Sequence, residues 1–569
     1  MRAPFRERYL TYDELTETLH AWQRAYPDFV RLESLTTTPE GRDVWLLTLG
    51  PEPDRTRPAA WVDGNMHASE LAGSSVALAI AEDVIRLHTH PDEPVAGLPA
   101  RVRETLRTVL FHVLPRMSPD GAEAVLRTGR FVRSVPRDER PYRQHPRWVA
   151  HDVDGDGLAL LMRQQDPTGE LVESRAVPGL LVPREPDDEG PYYKLYPEGH
   201  IENFDGRSIP SPHFLSDNEL DLNRSFPRDW RPEHEQVGAG PHPMAAPESR
   251  AVVEWASRHP NVFLWLNLHT FGGVLIRPLG DAPDTKMDPA DLALFRQIER
   301  WATETLGYPT VSGYEEFLYE PEKPLRGDLS EWAYHHRGAI SWVTELWDLF
   351  ERVGLERKKR FVDRYTHLSR EDLERIARWD AAENAGRVFR PWKPFEHPQI
   401  GPVEIGGLDP RVGIWNPPYE RLDEVCRGQS ALFLRVAALA PRLVLGPPRI
   451  QPLGPGAWRI EIDVENHGYL PTHVLASARK LPWNEPLAAF ARTEGPARLA
   501  SVAEARQDIG HLDGWGRPPG DGLTAVHLYR SRGTTGRRTL AYTVEGRGLL
   551  HVRVGSCRTG HVEARVELG

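Results

Sequence analysis

The sequence has 569 residues, which is too many for one hydrophobic core and predicts two or more domains. Hydrophobic residues make up 40% and charged residues 27%, as in ordinary globular proteins. The formal net charge of −12 argues against nucleic acid or an anionic membrane as the main partner. No apolar run is long enough to span a bilayer, so a membrane-spanning protein is not expected either.

Two further features bear on the compartment. Residues 1–8 lead directly into an amphipathic stretch without an apolar signal core, so we expect a cytoplasmic protein. The only cysteines are Cys426 and Cys557, whereas a secreted disulfide scaffold would carry more. Because no Cys-x-x-Cys pair exists, any metal site has to be built mainly from histidine and carboxylate side chains.

In chain order, helical patterns alternate with short apolar runs that are typical of buried strands. The predicted helices cover 9–25, 71–84, 248–258 and 290–306, and the predicted strands cover 44–49, 59–62, 108–114, 261–268 and 339–344. This alternation predicts an α/β fold in which flanking helices cover a mixed open sheet.

The later part of the chain follows other patterns. We predict an α/β domain over 1–389 with an insertion rich in Pro, Gly, Asp and Glu at 137–212, and a linker or packing segment over 390–446. From 447 to 569 apolar and charged residues alternate, as at Ile460, Ile462 and Val464. That period of two predicts a sandwich-like, all-β C-terminal domain.

His67 and Glu70 form the first motif with chemical meaning. They are three residues apart just after the predicted strand 59–62, a spacing that brings both side chains to one side of a turn or helix start. An imidazole nitrogen and a carboxylate oxygen suit zinc. Taken alone, the pair is more often a helix-start glutamate beside a hydrogen-bonded histidine.

His269 and Glu345 each follow an apolar strand, where an isolated residue of either type usually has no catalytic role. All four groups, however, lie just beyond the C-terminal ends of predicted strands, which form the ligand crevice of an open α/β sheet. Two histidines and one glutamate would give zinc three protein ligands and leave a position for water. Glu345 would be left as a free carboxylate to accept a proton from that water.

Asp221-Leu222-Asn223-Arg224 is the fourth motif. The Asn223–Arg224 pair can grip a carboxylate, since a guanidinium offers a bidentate fork. Asp221 can orient a metal-binding imidazole through a hydrogen bond. The ordinary alternative is a surface turn with an exposed arginine.

Together these motifs resemble the zinc carboxypeptidase family that includes the pancreatic carboxypeptidases A and B. The matching segments run in the family's order over roughly residues 8 to 385. They are Glu40-Gly41-Arg42, His67-Ala68-Ser69-Glu70, Ser118-Pro119-Asp120-Gly121, Asp221-Leu222-Asn223-Arg224, His269-Thr270-Phe271 and Thr344-Glu345.

The resemblance implies roles for individual residues. His67, Glu70 and His269 would bind one zinc ion, Glu345 would be the general base and then the general acid, and Asn223 with Arg224 would hold the C-terminal carboxylate of a peptide substrate. A further arginine should stabilise the oxyanion. Arg163 fits its expected context best and Arg133 is the rival, while Tyr319 is the candidate for the tyrosine that closes over the substrate.

The sequence also departs from the family. Ser69 replaces an arginine often found between the first two ligands, Phe271 replaces a tyrosine, and Ser330 at the expected specificity position indicates neither a basic nor an acidic pocket. Alternatives to a carboxypeptidase are a related zinc amidohydrolase acting on cell-wall peptides or acylated amino acids, and a non-catalytic zinc-binding scaffold.

A second metal is suggested by the insertion. Asp152, Asp154 and Asp156 alternate before glycines, as at the start of a calcium-binding loop. The twelfth position of that loop is Arg163, where a bidentate glutamate is needed. The two hypotheses for this segment are therefore a Ca²⁺ site and a tight acidic turn.

Overall fold

The computed structural model describes residues 3–137, 145–212, 220–320, 322–356, 358–517 and 531–569. Within them the helices are α1 (Tyr12–Ala25), α2 (Ala72–Thr89), α3 (Ala100–Leu106), α4 (Pro119–Thr128), α5 (Pro247–Arg258), α6 (Pro289–Leu306), α7 (Leu329–Arg337), α8 (Leu349–Arg352), α9 (Asp363–Thr366), α10 (Arg370–Glu383) and α11 (Tyr419–Ala437).

The strands of the same residues are β1 (Val30–Thr37), β2 (Asp43–Leu49), β3 (Ala59–Gly64), β4 (Leu110–Leu114), β5 (Arg147–Ala150), β6 (Leu161–Gln165), β7 (Leu171–Glu173), β8 (Leu181–Pro183), β9 (Tyr192–Pro197), β10 (Gly199–Glu202), β11 (Val262–Thr270), β12 (Val274–Arg277), β13 (Thr310–Ser312), β14 (Ile340–Leu346), β15 (Phe389–His397), β16 (Gly401–Leu408), β17 (Leu443–Leu445), β18 (Arg449–Gly454), β19 (Ala457–Asn466), β20 (Leu487–Glu494), β21 (Arg498–Leu499), β22 (Arg506–Gly510), β23 (Arg537–Glu545), β24 (Gly548–Ser556) and β25 (Gly560–Leu568).

The main sheet has the strand order β1-β2-β4-β3-β11-β14-β12-β13. Strands β4, β3, β11 and β14 run parallel, whereas β2 is antiparallel to β4 and β12 is antiparallel to β14. Every residue of β11 is buried, as its continuous apolar run predicts for a central strand covered on both faces. The predicted α/β fold with a mixed open sheet and flanking helices is therefore confirmed.

The insertion and the later packing segment share one sheet. Its order is β15-β16-β6-β9-β7-β8, so two strands from 389–408 extend a sheet that begins within 137–212. Met162 of β6 and Ile405 of β16 are paired in register and buried in the same small apolar cluster. After this sheet, α11 returns to the main domain and packs on α2 and α6.

The C-terminal region consists of antiparallel strands in two sheets, β17-β19-β23-β21 with β18 beside β19, and β22-β20-β24-β25. Ile460, Ile462 and Val464 are fully buried in the core between them, which confirms the predicted alternation. Arg558 ties this region to the main sheet: it is fully buried and donates to the carbonyls of Val262 and Gly338 at 2.7 Å each.

In the described part of the chain, no helix combines the length and the apolar character that crossing a bilayer requires.

Candidate active site

The loop between β3 and α2 places His67 and Glu70 side by side. Asn65 has a positive φ of 56° at the start of this loop, and its side-chain amide donates to the carbonyls of His67 and Ala68. His67 and Glu70 are 4% and 2% exposed, and His67 Nδ1 lies 2.8 Å from Glu70 Oε1. The two side chains are thus close together, as their spacing in the sequence predicts.

His269 enters the same space from the end of β11. Its Nδ1 lies 3.0 Å from His67 Nδ1 and 3.0 Å from Glu70 Oε2. The opposite nitrogens are engaged elsewhere: His67 Nε2 lies 3.2 Å from Asp221 Oδ1, and His269 Nε2 lies 2.6 Å from Asn267 Oδ1. With each Nε2 protonated and donating to these oxygens, the Nδ1 lone pairs of both histidines face Glu70. Two imidazole nitrogens and one carboxylate form a ligand set that zinc prefers.

Asn267 and Asp63 are supporting residues that the sequence analysis missed. Asn267 donates to Asp63, and the indole nitrogens of Trp61 and Trp265 donate to the other carboxylate oxygen at 2.8 Å. Burial raises the pKa of Asp63 to about 7 despite these hydrogen bonds. Since side chains two residues apart share a face of a strand, Asn267 could have been found as the residue two before His269.

Glu345 reaches the site from the neighbouring strand. The parallel pairing of β11 and β14 sets Glu345 directly opposite His269. Burial, followed by the negative charge of Glu70, raises the pKa of Glu345 well above its usual range. A carboxylate beside the three candidate ligands, and not hydrogen-bonded into their cluster, is placed to accept a proton there.

The structure corrects the choice of Arg163. This residue lies on β6, where it pairs with Glu404 at 2.7 Å and Glu173 at 3.2 Å and stacks on the rings of Tyr193 and Trp392. Arg163 therefore makes its contacts within the sheet formed by the insertion and belongs to the structure of that sheet.

The rival Arg133 lies beside the candidate ligands instead. Its Nε donates to Asp221 Oδ2 at 3.0 Å, and its Nη1 is 3.6 Å from Glu70 Oε1. The carbonyl of Arg133 also accepts from the amide of Ala68, between the two ligands of the first motif. The guanidinium is thus the cation that the fold places next to Glu70.

Asp221, Asn223 and Arg224 form a short turn on the same side. Asp221 accepts from the amide of Asn223 at 2.8 Å, and Asn223 Oδ1 accepts from the amide of Leu329 at 3.0 Å. Arg224 Nη1 donates to the carbonyl of Asn223 at 2.8 Å, while its side chain is half-buried. The turn is therefore anchored to α7 through Asn223.

Tyr319 lies at the rim of this space. The residue is 48% exposed, but its pKa is raised mainly by burial of the hydroxyl end and next by the charge of Glu345. Charges on Arg133 and Arg224 act on the same hydroxyl and lower the pKa. The hydroxyl of Tyr319 is thus affected by the charges of Glu345, Arg133 and Arg224 although the residue is partly open, and its role as the tyrosine that covers the substrate stays a prediction.

An aromatic rim that the sequence analysis missed borders the ligands. The rings of Phe131 and Phe271 each lie 5.4 Å from that of Trp415, and all three side chains are half-buried. Next to Trp415, the buried Asn416 donates to the carbonyl of Ser69 and accepts from the amide of Ala72. The segment around Trp415, which is distant in sequence, therefore forms one wall beside the loop that carries His67 and Glu70.

The acidic turn at 152–157 gives the calcium hypothesis no support. Asp152 accepts from the amides of Gly155 and Gly157, Asp154 accepts from the amide of Asp156, and Asp156 pairs with Lys393 at 2.9 Å. These carboxylates stabilise the turn and a neighbouring strand, as expected for a tight acidic turn.

Comparisons with known proteins identify two family models and several relatives that this chain resembles. A family model described as zinc carboxypeptidase matches residues 15–154 and 203–357, and one described as a domain of unknown function matches 442–567. Human carboxypeptidase N catalytic chain is 28% identical over 130 residues, covering 22% of this chain and 27% of that protein. Carboxypeptidase B of Astacus astacus is 32% identical over 114 residues, covering 20% and 33%.

Each alignment thus spans a third or less of the curated relative's length. Among solved structures, bovine thrombin-activatable fibrinolysis inhibitor in complex with tick carboxypeptidase inhibitor aligns over 76% of this chain and 97% of its own, with 13% identity and a TM-score of 0.44. A metallo-carboxypeptidase from Burkholderia cenocepacia aligns over 74% and 67%, with 13% identity and a TM-score of 0.35. Because the zinc carboxypeptidase model covers more than half of the 569 residues, this chain belongs to the zinc carboxypeptidase family.

Proposed function

We propose that this protein is a zinc metallocarboxypeptidase that hydrolyses the C-terminal peptide bond of peptides. The observation that carries the proposal is the convergence of His67 Nδ1, His269 Nδ1 and Glu70 within 3.0 Å of one another, with Glu345 in register beside them. Two nitrogen donors and a carboxylate, with one unused carboxylate next to them, form the side-chain set of a zinc hydrolase.

His67, Glu70 and His269 would hold a zinc ion, which would supply Lewis acidity to lower the pKa of a water and polarise a carbonyl. Glu345 accepts the proton of the attacking water and then delivers it to the departing amine, so that one side chain is first base and then acid. Arg133 replaces Arg163 as the cation that stabilises the oxyanion.

Substrate recognition is assigned to the turn at 221–224. Arg224 offers its guanidinium fork to the free C-terminal carboxylate, and Asn223, held by the amide of Leu329, positions that turn against α7. Asp221 holds both His67 and Arg133, so it couples ligand orientation to the position of the oxyanion-stabilising cation. Tyr319 covers the substrate from the exposed rim.

The test is hydrolysis of N-blocked dipeptides and their C-terminally amidated counterparts by the full chain, with and without a zinc chelator, beside Glu345→Gln. We expect chelator-sensitive release of the C-terminal amino acid from the free acids, and none from the amides or with the variant. Zinc binding without peptide turnover would transfer the assignment to an amidohydrolase acting on cell-wall peptides or acylated amino acids. A chain that binds no zinc would sink the proposal.

A further inference from the structure

Asp281, Glu331 and His335 form a second cluster of metal-ligating side chains, away from His67 and His269. Asp281 follows β12, while Glu331 and His335 lie four residues apart on α7 and so share one face of that helix. Each of the three offers one ligand atom, and these atoms all lie within 4.8 Å of one another. An imidazole and two carboxylates suit zinc and similar divalent transition metals.

The buried carboxylate of Glu331 is incompletely satisfied. The residue is 5% exposed, and its Oε1 accepts from the amide of Gly280 at 2.8 Å. Its Oε2 has no hydrogen-bond partner among the described residues, and neither has the buried Nε2 of His335. A buried carboxylate oxygen without a donor is destabilising, so a partner for this one is expected.

The distance between these two atoms fits a shared metal ion. Glu331 Oε2 and His335 Nε2 are 3.2 Å apart, a separation that suits an ion pair between them and equally suits two ligands of one ion. Ligands bound at about 2.0–2.1 Å in a tetrahedral site lie roughly 3.3 Å apart, close to the separation seen here.

The surrounding charges also favour a divalent cation. Asp281, Glu331 and the nearby Asp328 contribute three carboxylates, against which Arg228 supplies one guanidinium, 3.2 Å from Asp281. The sum of these formal charges is negative, and a divalent ion offsets it. The His335 side chain is 29% exposed, so an ion and its remaining water ligands have a path from solvent.

We propose that Asp281, Glu331 and His335 bind a second zinc-type divalent ion with a structural role. The ion joins the segment after β12 to α7. Because the amide of Leu329 at the start of α7 holds Asn223, it also braces the turn that carries Arg224. Ion binding by these three side chains is independent of the proposed function. Only the bracing of the turn that carries Arg224 rests on that function.

The experiment is zinc loading of the full chain, desalting and measurement of zinc per chain by mass spectrometry. Wild type should retain about two equivalents, and His335→Gln and Glu331→Gln about one each, as expected from loss of one ligand of three. His336→Gln removes the adjacent, exposed histidine of the same helix and should retain both ions. Asp281→Asn alters a half-buried residue outside α7 and gives a third, milder variant if the helix substitutions unfold the chain.

Zinc-dependent thermal stability provides a second readout. Adding zinc to the metal-free chain should raise the melting temperature further in His336→Gln than in His335→Gln. Cluster variants that retain as much zinc as wild type would overturn the proposal in favour of a plain Glu331–His335 ion pair. His67→Gln separates the two sites: it should lose one equivalent and retain the α7 ion. If wild type retains a single equivalent, its loss in His67→Gln would overturn the α7 site, whereas its loss in His335→Gln would show that the proposed catalytic site is the one that fails.

Discussion

Replacing Arg133 should abolish most of the turnover while leaving zinc and substrate binding largely intact. The guanidinium lies 3.0 Å from Asp221 and 3.6 Å from Glu70, so it is a fixed positive charge beside the candidate ligands, where the proposed reaction would develop negative charge. Loss of one such oxyanion-stabilising group typically lowers kcat by about 10²–10³, equivalent to ~2.7–4 kcal/mol. We therefore expect Arg133→Gln to lose that much in kcat with little change in KM, because the interaction is made mainly in the transition state.

Arg163→Gln is the matched control. Loss of its ion pairs with the half-exposed Glu173 and Glu404, together with its stacking on two aromatic rings, should cost about 1–3 kcal/mol of unfolding free energy and leave kcat unchanged. Both variants are assayed on one blocked dipeptide with zinc content measured in parallel, and Arg133→Lys should recover part of kcat through its charge. Full activity in zinc-replete Arg133→Gln, or a kcat loss confined to Arg163→Gln, would refute this assignment.

Three other substitutions test the surroundings of the site. Asn267→Ala removes the hydrogen bond that orients His269 and should weaken zinc binding by about 10–100-fold, measured by competition with a chelator; unchanged affinity would contradict that role. Trp415→Ala opens the aromatic rim and should raise KM for substrates with an aromatic N-blocking group more than for acetylated ones, whereas equal changes would show that the rim does not touch substrate. Arg558→Leu leaves buried carbonyls, including that of Val262, without donors and should lower the free energy of unfolding by about 3 kcal/mol or more in denaturant titrations. A cost below about 1 kcal/mol would show that water replaces those hydrogen bonds.

The sequence predicts those residues of the site whose positions depend on local spacing or on the ends of strands. His67 and Glu70 are three residues apart in one loop, and their meeting requires only that loop's conformation. His269 and Glu345 follow apolar strands, and parallel strands present their carboxyl ends at one edge of a sheet. What the sequence leaves open is that β11 and β14 are direct neighbours with these two residues in register.

Arg133 shows where the same reasoning fails. The local context of an arginine after a bulky apolar residue fits both Arg163 and Arg133, and nothing in either segment reveals which sheet it joins. The choice depends on pairing between β6 and β16, more than two hundred residues apart, which places Arg163 among the strands of the insertion. Trp415 was missed for the same reason, since its contact with Phe271 depends on where a distant segment returns to the main domain.

The groups closest to the candidate reaction centre differ in how firmly the fold holds them. His269, Asn267 and Asp63 lie on two adjacent buried strands, and each is fixed by the next through a hydrogen bond. Arg224 and Tyr319 stand on loops at a partly exposed rim, where side chains can move to admit and cover a substrate. We therefore expect substitutions of His269, Asn267 and Asp63 to lower the affinity for zinc. Substitutions of Arg224 and Tyr319 at the rim should instead raise KM while zinc is retained. A rim variant that lost zinc while keeping its fold would show that the two sets are coupled more closely than their contacts indicate.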